Sequence, residues 1–490
     1  MVLVAARLGL TLALAPPAPT AREADLVEVD PPPNRATPGA PAADAPVENG
    51  GGDGWDFDFD ALGGSFGADA AKPGAPAKPR DAPSPAADPP IKKKRIDIGK
   101  VLGGNLRLTG AYLHFDDVPE VFPDGDDALG LAAGRVTVDA KPNKHVAFAV
   151  HGFVDLSRAS LGTIGGAFTS PGSTDSAYRT RYLAWTFWKD GAVRGAMGLD
   201  RLATSVTAGP IKLDIGRFPI NYSVTNFYAP NDFYAPFSAT AVNRLYKPGV
   251  DAVRLSAAAG PLTTIDVVGV MGYDARGVPS WGRTSVLARA GFVGGGFEWA
   301  VLGGKLAERW VVGGSAQGEA GPIGLRGEFH VGFPDRDGRG HGAGDLPIYV
   351  RAAGGPNVAF AWRNANLGAE YMFISDGSKR PDGYVQRAAT LYADTVPFLA
   401  RHYVAANFGL DLVPILKAQT FTLIDASDGS GLAGLSLLYN VADESDLIFG
   451  LFAPWGRGFR GFDPVTMFPR VGSEYGLSPL VAYFESRVFF

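Results

Sequence analysis

The sequence predicts an all-β chain: a transmembrane antiparallel up-and-down β-barrel of 16–18 strands behind a disordered N-terminal tail. Three observations carry this expectation. Over residues 101–490, runs of 8 to 15 residues with two-residue alternation recur. The connections between those runs alternate between short and long. The chain opens on a segment that reads as an export signal.

The first 15 residues, MVLVAARLGLTLALA, place Arg7 before an apolar stretch that ends in Ala13-Leu14-Ala15. That is the order of a secretory signal peptide with an A-x-A cleavage signal. Pro16 disfavours a cut directly after Ala15, so residues 1–21 are assigned to the signal, with the cut near Ala21. Residues 22–100 form a Pro/Ala-rich tail. Residues 16–90 hold 16 of the 38 prolines, with 13 acidic and 5 basic residues. Such a composition buries too little apolar area to offset chain entropy, so disorder is expected. An acidic-aromatic island, Trp55-Asp56-Phe57-Asp58-Phe59-Asp60, suits a docking peptide. Its aspartates miss the cation-loop pattern, because Ala61 stands where that loop needs glycine and Gly67 where it needs glutamate. The tail closes on Lys92-Lys93-Lys94-Arg95, a solvated hinge.

Composition excludes several classes. The 490 residues contain no cysteine, which removes disulfide frameworks, thiolate zinc sites and cysteine nucleophiles. A net charge of -5 argues against nucleic acid as a partner. Six histidines leave little for a multi-histidine metal centre, and no cofactor or metal is implied. After residue 15 no run of 18 uncharged apolar residues occurs, so an ordinary transmembrane helix is excluded. Strands that alternate lipid-facing and water-facing residues escape that test.

The barrel is assigned to residues 101–490. Eighteen runs qualify as strands: 101–115, 128–140, 143–157, 177–189, 209–219, 248–259, 262–273, 283–292, 295–303, 309–320, 322–333, 356–363, 366–375, 401–413, 415–425, 431–441, 445–453 and 476–490. Connections after even-numbered strands are mostly tight and those after odd-numbered strands mostly long. Two joins break the rule: 190–208 is long where it should be short, and 304–308 is short where it should be long. A miscount by one hairpin would give 16 strands. In 322–333, Ile323, Leu325, Phe329, Val331 and Phe333 share one face, while Arg326, Glu328 and His330 share the other. Tyr182, Trp185, Phe187 and Trp188 cluster near one strand end, as an interfacial aromatic girdle would.

The last residues carry a resemblance. Counting back by twos from Phe490 gives Val488, Ser486, Phe484, Ala482 and Leu480, with charged Glu485 and Arg487 on the opposite face. This resembles the C-terminal signal strand of Gram-negative outer-membrane β-barrels, although Ser486 departs from the preferred bulky residue. A second stretch runs through Ile215-Gly216-Arg217-Phe218-Pro219, Pro230-Asn231-Asp232 and Gly249-Val250-Asp251-Ala252. It is similar to segments of porin-like barrels. The resemblance implies insertion by the outer-membrane assembly machinery, contact with outer-membrane lipid and lipopolysaccharide, and a periplasmic tail with a periplasmic partner within its reach.

A barrel of this size leaves a water-filled lumen. The expected function is a porin-like channel for passive diffusion of small hydrophilic solutes, not an enzyme. The alternative is a closed or plugged barrel with a structural or surface-binding role. Candidate pore-lining residues are Arg135, Asp139, His151, Lys212, Asp214, Arg254, Asp266, Arg326, Glu328, His330, Glu370 and Asp411. They are mixed in sign, so no single-sign selectivity ring is expected. The aromatic-rich connection 220–247 supplies constriction candidates Tyr222, Phe227, Tyr228, Asp232 and Arg244 if it folds inward, and a lid if it folds outward. A second acidic loop, Asp116-Asp117 to Asp126-Asp127, is read as solvated.

Overall fold

The computed structural model describes residues 101–490 except 117, 119–121, 123, 159–176, 236–245, 275, 336–346, 391–397 and 465–468. The signal and tail assignments, residues 1–100, lie outside the described residues. In chain order the strands are β1 (Leu102–His114), β2 (Asp126–Asn143), β3 (Val146–Arg158), β4 (Ala184–Asp190), β5 (Val193–Ala208), β6 (Ile211–Phe218), β7 (Val250–Ala258), β8 (Thr263–Val270), β9 (Ser285–Gly294), β10 (Phe297–Leu306) and β11 (Arg309–Ala320). They continue with β12 (Ile323–Pro334), β13 (Tyr349–Phe360), β14 (Ala365–Ile374), β15 (His402–Val413), β16 (Leu416–Asp425), β17 (Gly431–Ala442), β18 (Ser445–Trp455), β19 (Phe459–Phe462), β20 (Pro469–Val471) and β21 (Leu480–Phe489). One short helix, α1 (Tyr384–Thr390), lies in the connection after β14.

Eighteen of these strands are staves of one closed antiparallel barrel. β1 pairs with β2 on one edge and with β21 on the other, so no stave edge is left open. β19 and β20 pair only with each other, as a hairpin in the connection before β21. β4 is not a stave. It pairs with residues 193–198 of β5, on the edge whose remainder, 202–208, pairs with β6. It fills the wall above a stave that stops short.

This corrects the sequence assignment at one hairpin. The predicted strand 177–189 is the rim arm β4, and the predicted long connection 190–208 contains the stave β5. The total of eighteen stands because one error offsets the other. With β5 in place the connection rule is restored there: β5 and β6 join through the two residues 209–210. The pattern was hidden by small residues, Gly195, Ala196 and Gly198, and by a bulge. His151 pairs with Arg201 and Gly152 with Leu199, so Asp200 is an extra residue that reverses the facing of the chain beyond it. A second correction concerns β13, which begins at Tyr349 rather than near 356. Gly354-Gly355-Pro356 reads as a breaker, yet lies within the stave, where the β13–β14 ladder skips Gly355 and Pro356.

At the end of the barrel where β1 begins and β21 ends, the turns 144–145, 209–210, 295–296, 321–322, 414–415 and 443–444 have two residues each. In Gly295-Gly296 both φ angles are positive, +64° and +79°. Such a turn matches the twist of its flanking strands and favours glycine at both positions. The other end carries the long connections, with 191–192, 307–308 and 426–430 as short exceptions.

The faces settle which side meets lipid. Leu106, Leu108 and Tyr112 of β1, Val301 of β10, Val312 of β11, Phe329 of β12, Leu367 of β14 and Phe484 of β21 point outward and are exposed. Asn105, Arg107, Thr109, Arg135, Glu328, Arg351, Glu485 and Arg487 point inward and are buried. A water-soluble barrel would reverse this arrangement, because a continuous apolar exterior cannot remain in water. Val301, mid-way along β10, is 58% exposed. Val301→Arg should cost about 2–4 kcal/mol of folding free energy in a bilayer, measured by reversible unfolding from lipid vesicles; a neutral effect would remove the lipid-facing assignment.

A candidate pore constriction

β6 ends at Phe218, where Pro219 withdraws a ladder donor. The chain then turns into the barrel, and residues 219–235 lie across the lumen. Strand parity aims two carboxylates at this segment: Glu328 from β12 and Glu370 from β14. Glu328 accepts hydrogen bonds from the backbone N–H of Val224 at 2.5 Å, the N–H of Asn231 at 3.0 Å and the hydroxyl of Ser223 at 2.9 Å. Glu370 accepts from the backbone N–H groups of Asn226, Phe227 and Tyr228 at 2.6, 2.8 and 3.3 Å. Charge-assisted bonds of this type are among the stronger ones in proteins.

Further polar ties fix the same segment. Arg326 Nη1 donates to Asn226 Oδ1 at 2.6 Å. Asn231 Nδ2 donates to the Gly314 carbonyl at 3.3 Å, and its Oδ1 lies 3.1 Å from His330 Nδ1. Thr225 donates to the Tyr228 carbonyl. Lys247 and Asp232 form a buried ion pair at 2.5 Å. Burial pulls the Lys247 ammonium below its usual range, while Asp232 opposes the shift.

Apolar packing completes the seat at two points. Tyr222, Phe233 and Tyr234 join wall residues Val250, Val268, Leu287 and Val311. Phe227 and Tyr228 join Met372, Tyr403 and Leu423, and Tyr228 also packs edge-on to Phe398. Burial pushes the Tyr222 and Tyr228 phenols above their ordinary range.

The predicted site residues therefore divide. Arg326, Glu328, His330 and Glu370 gather around Tyr222, Phe227, Tyr228 and Asp232. Arg135 lies on another part of the wall, 2.5 Å from the bulged Asp200 and under the Tyr246 ring. Asp139 and His151 meet at 3.0 Å, and the Asp139 side chain is 57% exposed. Asp214 takes Arg254 at 2.8 Å, Ser205 at 2.5 Å and Lys212 at 3.6 Å. Asp266 is 4.0 Å from Arg289. Asp411 stands apart at the short-turn end, accepting from Asn364 at 2.7 Å. Arg244 and part of the 116–127 loop lie outside the described residues; Asp126 of that loop meets His114 at 2.8 Å.

Sequence reasoning passed over Ser223, Asn226, Asn231 and Lys247, whose polarity among aromatics is the signal for a segment hydrogen-bonded inside the lumen. It also passed over the Arg217–Asp251 pair at 2.6 Å. The residue before Arg217 must be glycine: the φ of Gly216 is +124°, and a Cβ there would lie 2.1 Å from the Leu202 carbonyl oxygen.

No protein-family model and no curated protein matches the sequence. Among solved structures it is similar to OccAB4 of Acinetobacter baumannii, at 10% identity over 80% of this chain and 98% of that one, with a TM-score of 0.46. It is also similar to the outer membrane protein opdK of Pseudomonas aeruginosa, at 9% identity over 80% and 99%, TM-score 0.47. OccK9 (OpdG) of the same organism gives 10% over 80% and 97%, TM-score 0.49. The decisive observations are internal: eighteen closed staves, an apolar exterior and a segment seated in a polar lumen. The architecture is that of a closed eighteen-stranded transmembrane β-barrel.

At the long-loop end of this barrel, three connections meet around Glu474. Its carboxylate accepts from the Tyr403 hydroxyl and lies 3.4 Å from the Leu399 N–H, while its own N–H donates to Asp428 at 2.8 Å. Tyr384 of α1 donates to Asp425 and Asp428 at 2.6 and 3.0 Å. Burial, aided by Asp425 and Asp428, pushes the Glu474 carboxyl from an ordinary 4.5 up to about 8. The packed form thus holds the proton more tightly than the open form, and stability falls as pH rises between those values.

Two outcomes follow. Glu370→Ala should lower the protection of amides 226–228 by about 3 kcal/mol, or roughly a hundredfold in exchange rate, read by hydrogen exchange. Proteolysis of the 456–479 connection should be faster at pH 9 than at pH 6, and Glu474→Gln should remove that difference.

Proposed function

We propose that this chain is an outer-membrane channel for passive diffusion of small hydrophilic solutes. The carrying observation is the segment 219–235, fixed inside the lumen by wall carboxylates rather than folded over the rim. Between it and the short-turn end the inner wall carries partly exposed polar residues, such as Asp139, Arg326, Asn407 and Gln419. A water-filled path of this kind passes solutes down their gradient, with the constriction setting the size limit and the wall charge setting preference. Neighbouring cations and carboxylates on the wall neutralise one another, so weak ion selectivity is expected.

The reading extends to surroundings. The apolar belt meets outer-membrane lipid and lipopolysaccharide, and the terminal strand Leu480–Phe489 engages the barrel assembly machinery. The short-turn end faces the periplasm, which puts the tail of residues 22–100 there with any periplasmic partner. No catalytic role is assigned.

Single-channel recording of the refolded full-length protein tests the proposal. Discrete current steps that grow with salt concentration are expected, together with size-limited solute entry into liposomes. A folded, heat-modifiable barrel that gives neither would replace the channel by the closed, surface-binding alternative.

A further inference from the structure

Immediately below the constriction, four side-chain amides are laid across neighbouring staves: Asn357 on β13, Asn366 on β14, Asn407 on β15 and Gln419 on β16. All four have a glycine as in-register neighbour, and Gln419 shares Gly409 with Asn366. Asn357 pairs with Gly324, Asn407 with Gly368, and Asn366 with Gly409. The glycines leave the space that the amides occupy. A Cβ at Gly324 would lie 2.5 Å from Asn357 Oδ1, one at Gly368 2.5 Å from Asn407 Oδ1, and one at Gly409 2.8 Å from Asn366 Nδ2. Each amide therefore lies close over the backbone of its neighbouring stave, on the inward side of the wall. Asn407 Nδ2 donates to Asn366 Oδ1 at 3.2 Å, which joins two amides into one surface.

The border of this terrace is equally specific. Phe421, paired with Asn407 and Gly434, is half-buried at its upper edge, 6.1 Å from Phe227 of the constriction segment. Arg326 bridges the terrace to the constriction, donating to Asn357 Oδ1 at 3.3 Å and to Asn226. Glu370 directs its charge at the backbone N–H groups of residues 226–228. The amides themselves are neutral, and each can both donate and accept. Hydroxyl groups have the same dual capacity, and an aromatic ring suits the C–H face of a cyclic polyol. A charged solute would shed hydration here, and the bordering Arg326 guanidinium is already held by Asn226 and Asn357.

We propose that this amide terrace is a solute-binding face for neutral, polyhydroxylated molecules of the monosaccharide and disaccharide class, met just after the constriction. The inference rests on the channel reading and deepens it.

The test records single channels of the full-length protein with a neutral disaccharide added, then with a singly carboxylated and a singly aminated sugar of equal size. The neutral sugar should interrupt the current for longer than either charged one. The Asn366→Leu/Asn407→Leu double variant should shorten those interruptions about tenfold, the loss of roughly one to two neutral hydrogen bonds, read in channels that still conduct salt. Gln419→Leu alone should shorten them less, and it carries the test if the double variant does not fold. Equal or longer interruptions by either charged sugar, or unchanged dwell times in the folded variants, would overturn the proposal. Absence of any salt conductance would instead remove the channel reading.

Discussion

A stretch of chain inside a barrel has a difficulty that the staves do not. Its backbone donors have no ladder to join, and the walls around them are already paired. Here the difficulty is met by two carboxylates. Glu328 takes Val224, Asn231 and the Ser223 hydroxyl; Glu370 takes three successive N–H groups, 226 to 228. The solution serves both sides. A buried carboxylate without donors would be costly, and so would a buried run of unpaired amides. Together they cancel. The position of the constriction is thus set by the wall: β12 and β14 are next but one in the sheet, and their inward parity fixes where the segment can be held.

The short staves follow from the same arrangement. β6 stops at Phe218 so that the chain can turn inward, and this leaves the upper edge of β5 without a partner. β4 supplies it. The bulge at Asp200 lies along the same edge and delivers a buried carboxylate to Arg135. Irregularities in this wall, the bulge, the positive φ at Gly216 and the rim arm, all lie where the chain leaves the regular barrel. Elsewhere the irregularities are the skipped pairs at Gly355-Pro356 and small register shifts beside short turns, as at Ala140/Asn143, Asp411/Val413 and Asn440/Ala442.

That distribution explains what could be read from sequence. The alternation of Ile323, Leu325, Phe329 and Phe333 against Arg326, Glu328 and His330 is local, so β12 and its facing were legible. So was the final strand, counted back from Phe490. β5 was not, because a bulge breaks the two-residue period in a run that small residues already weaken. β13 lost its first half to a Gly-Gly-Pro that a wall can absorb. The direction of the 219–235 segment was undecidable for a different reason. Its anchors are 97 to 144 residues away in sequence, and nothing near Asn226 or Asn231 announces them. The amide terrace was invisible for the same reason: each asparagine needs a glycine on the neighbouring stave, and register is not written in either strand alone.

The constriction is also not independent of the outer connections. Glu370 holds the N–H of Tyr228, and the Tyr228 ring packs against Phe398 and Tyr403. The Tyr403 hydroxyl in turn accepts from the Ala400 N–H and donates to Glu474. Through three side chains the segment inside the lumen is joined to the 375–401 and 456–479 connections above it. Packed aromatic contacts of this kind tend to have discrete arrangements rather than a continuum of small displacements. An outer connection that shifts must therefore either carry Tyr228 with it, against the pull of Glu370, or part from it and expose the ring. The first route changes the aperture; the second leaves the aperture fixed and opens only the rim. The three hydrogen bonds at Glu370 favour the second, so the segment across the lumen should be stiffer than the connections above it.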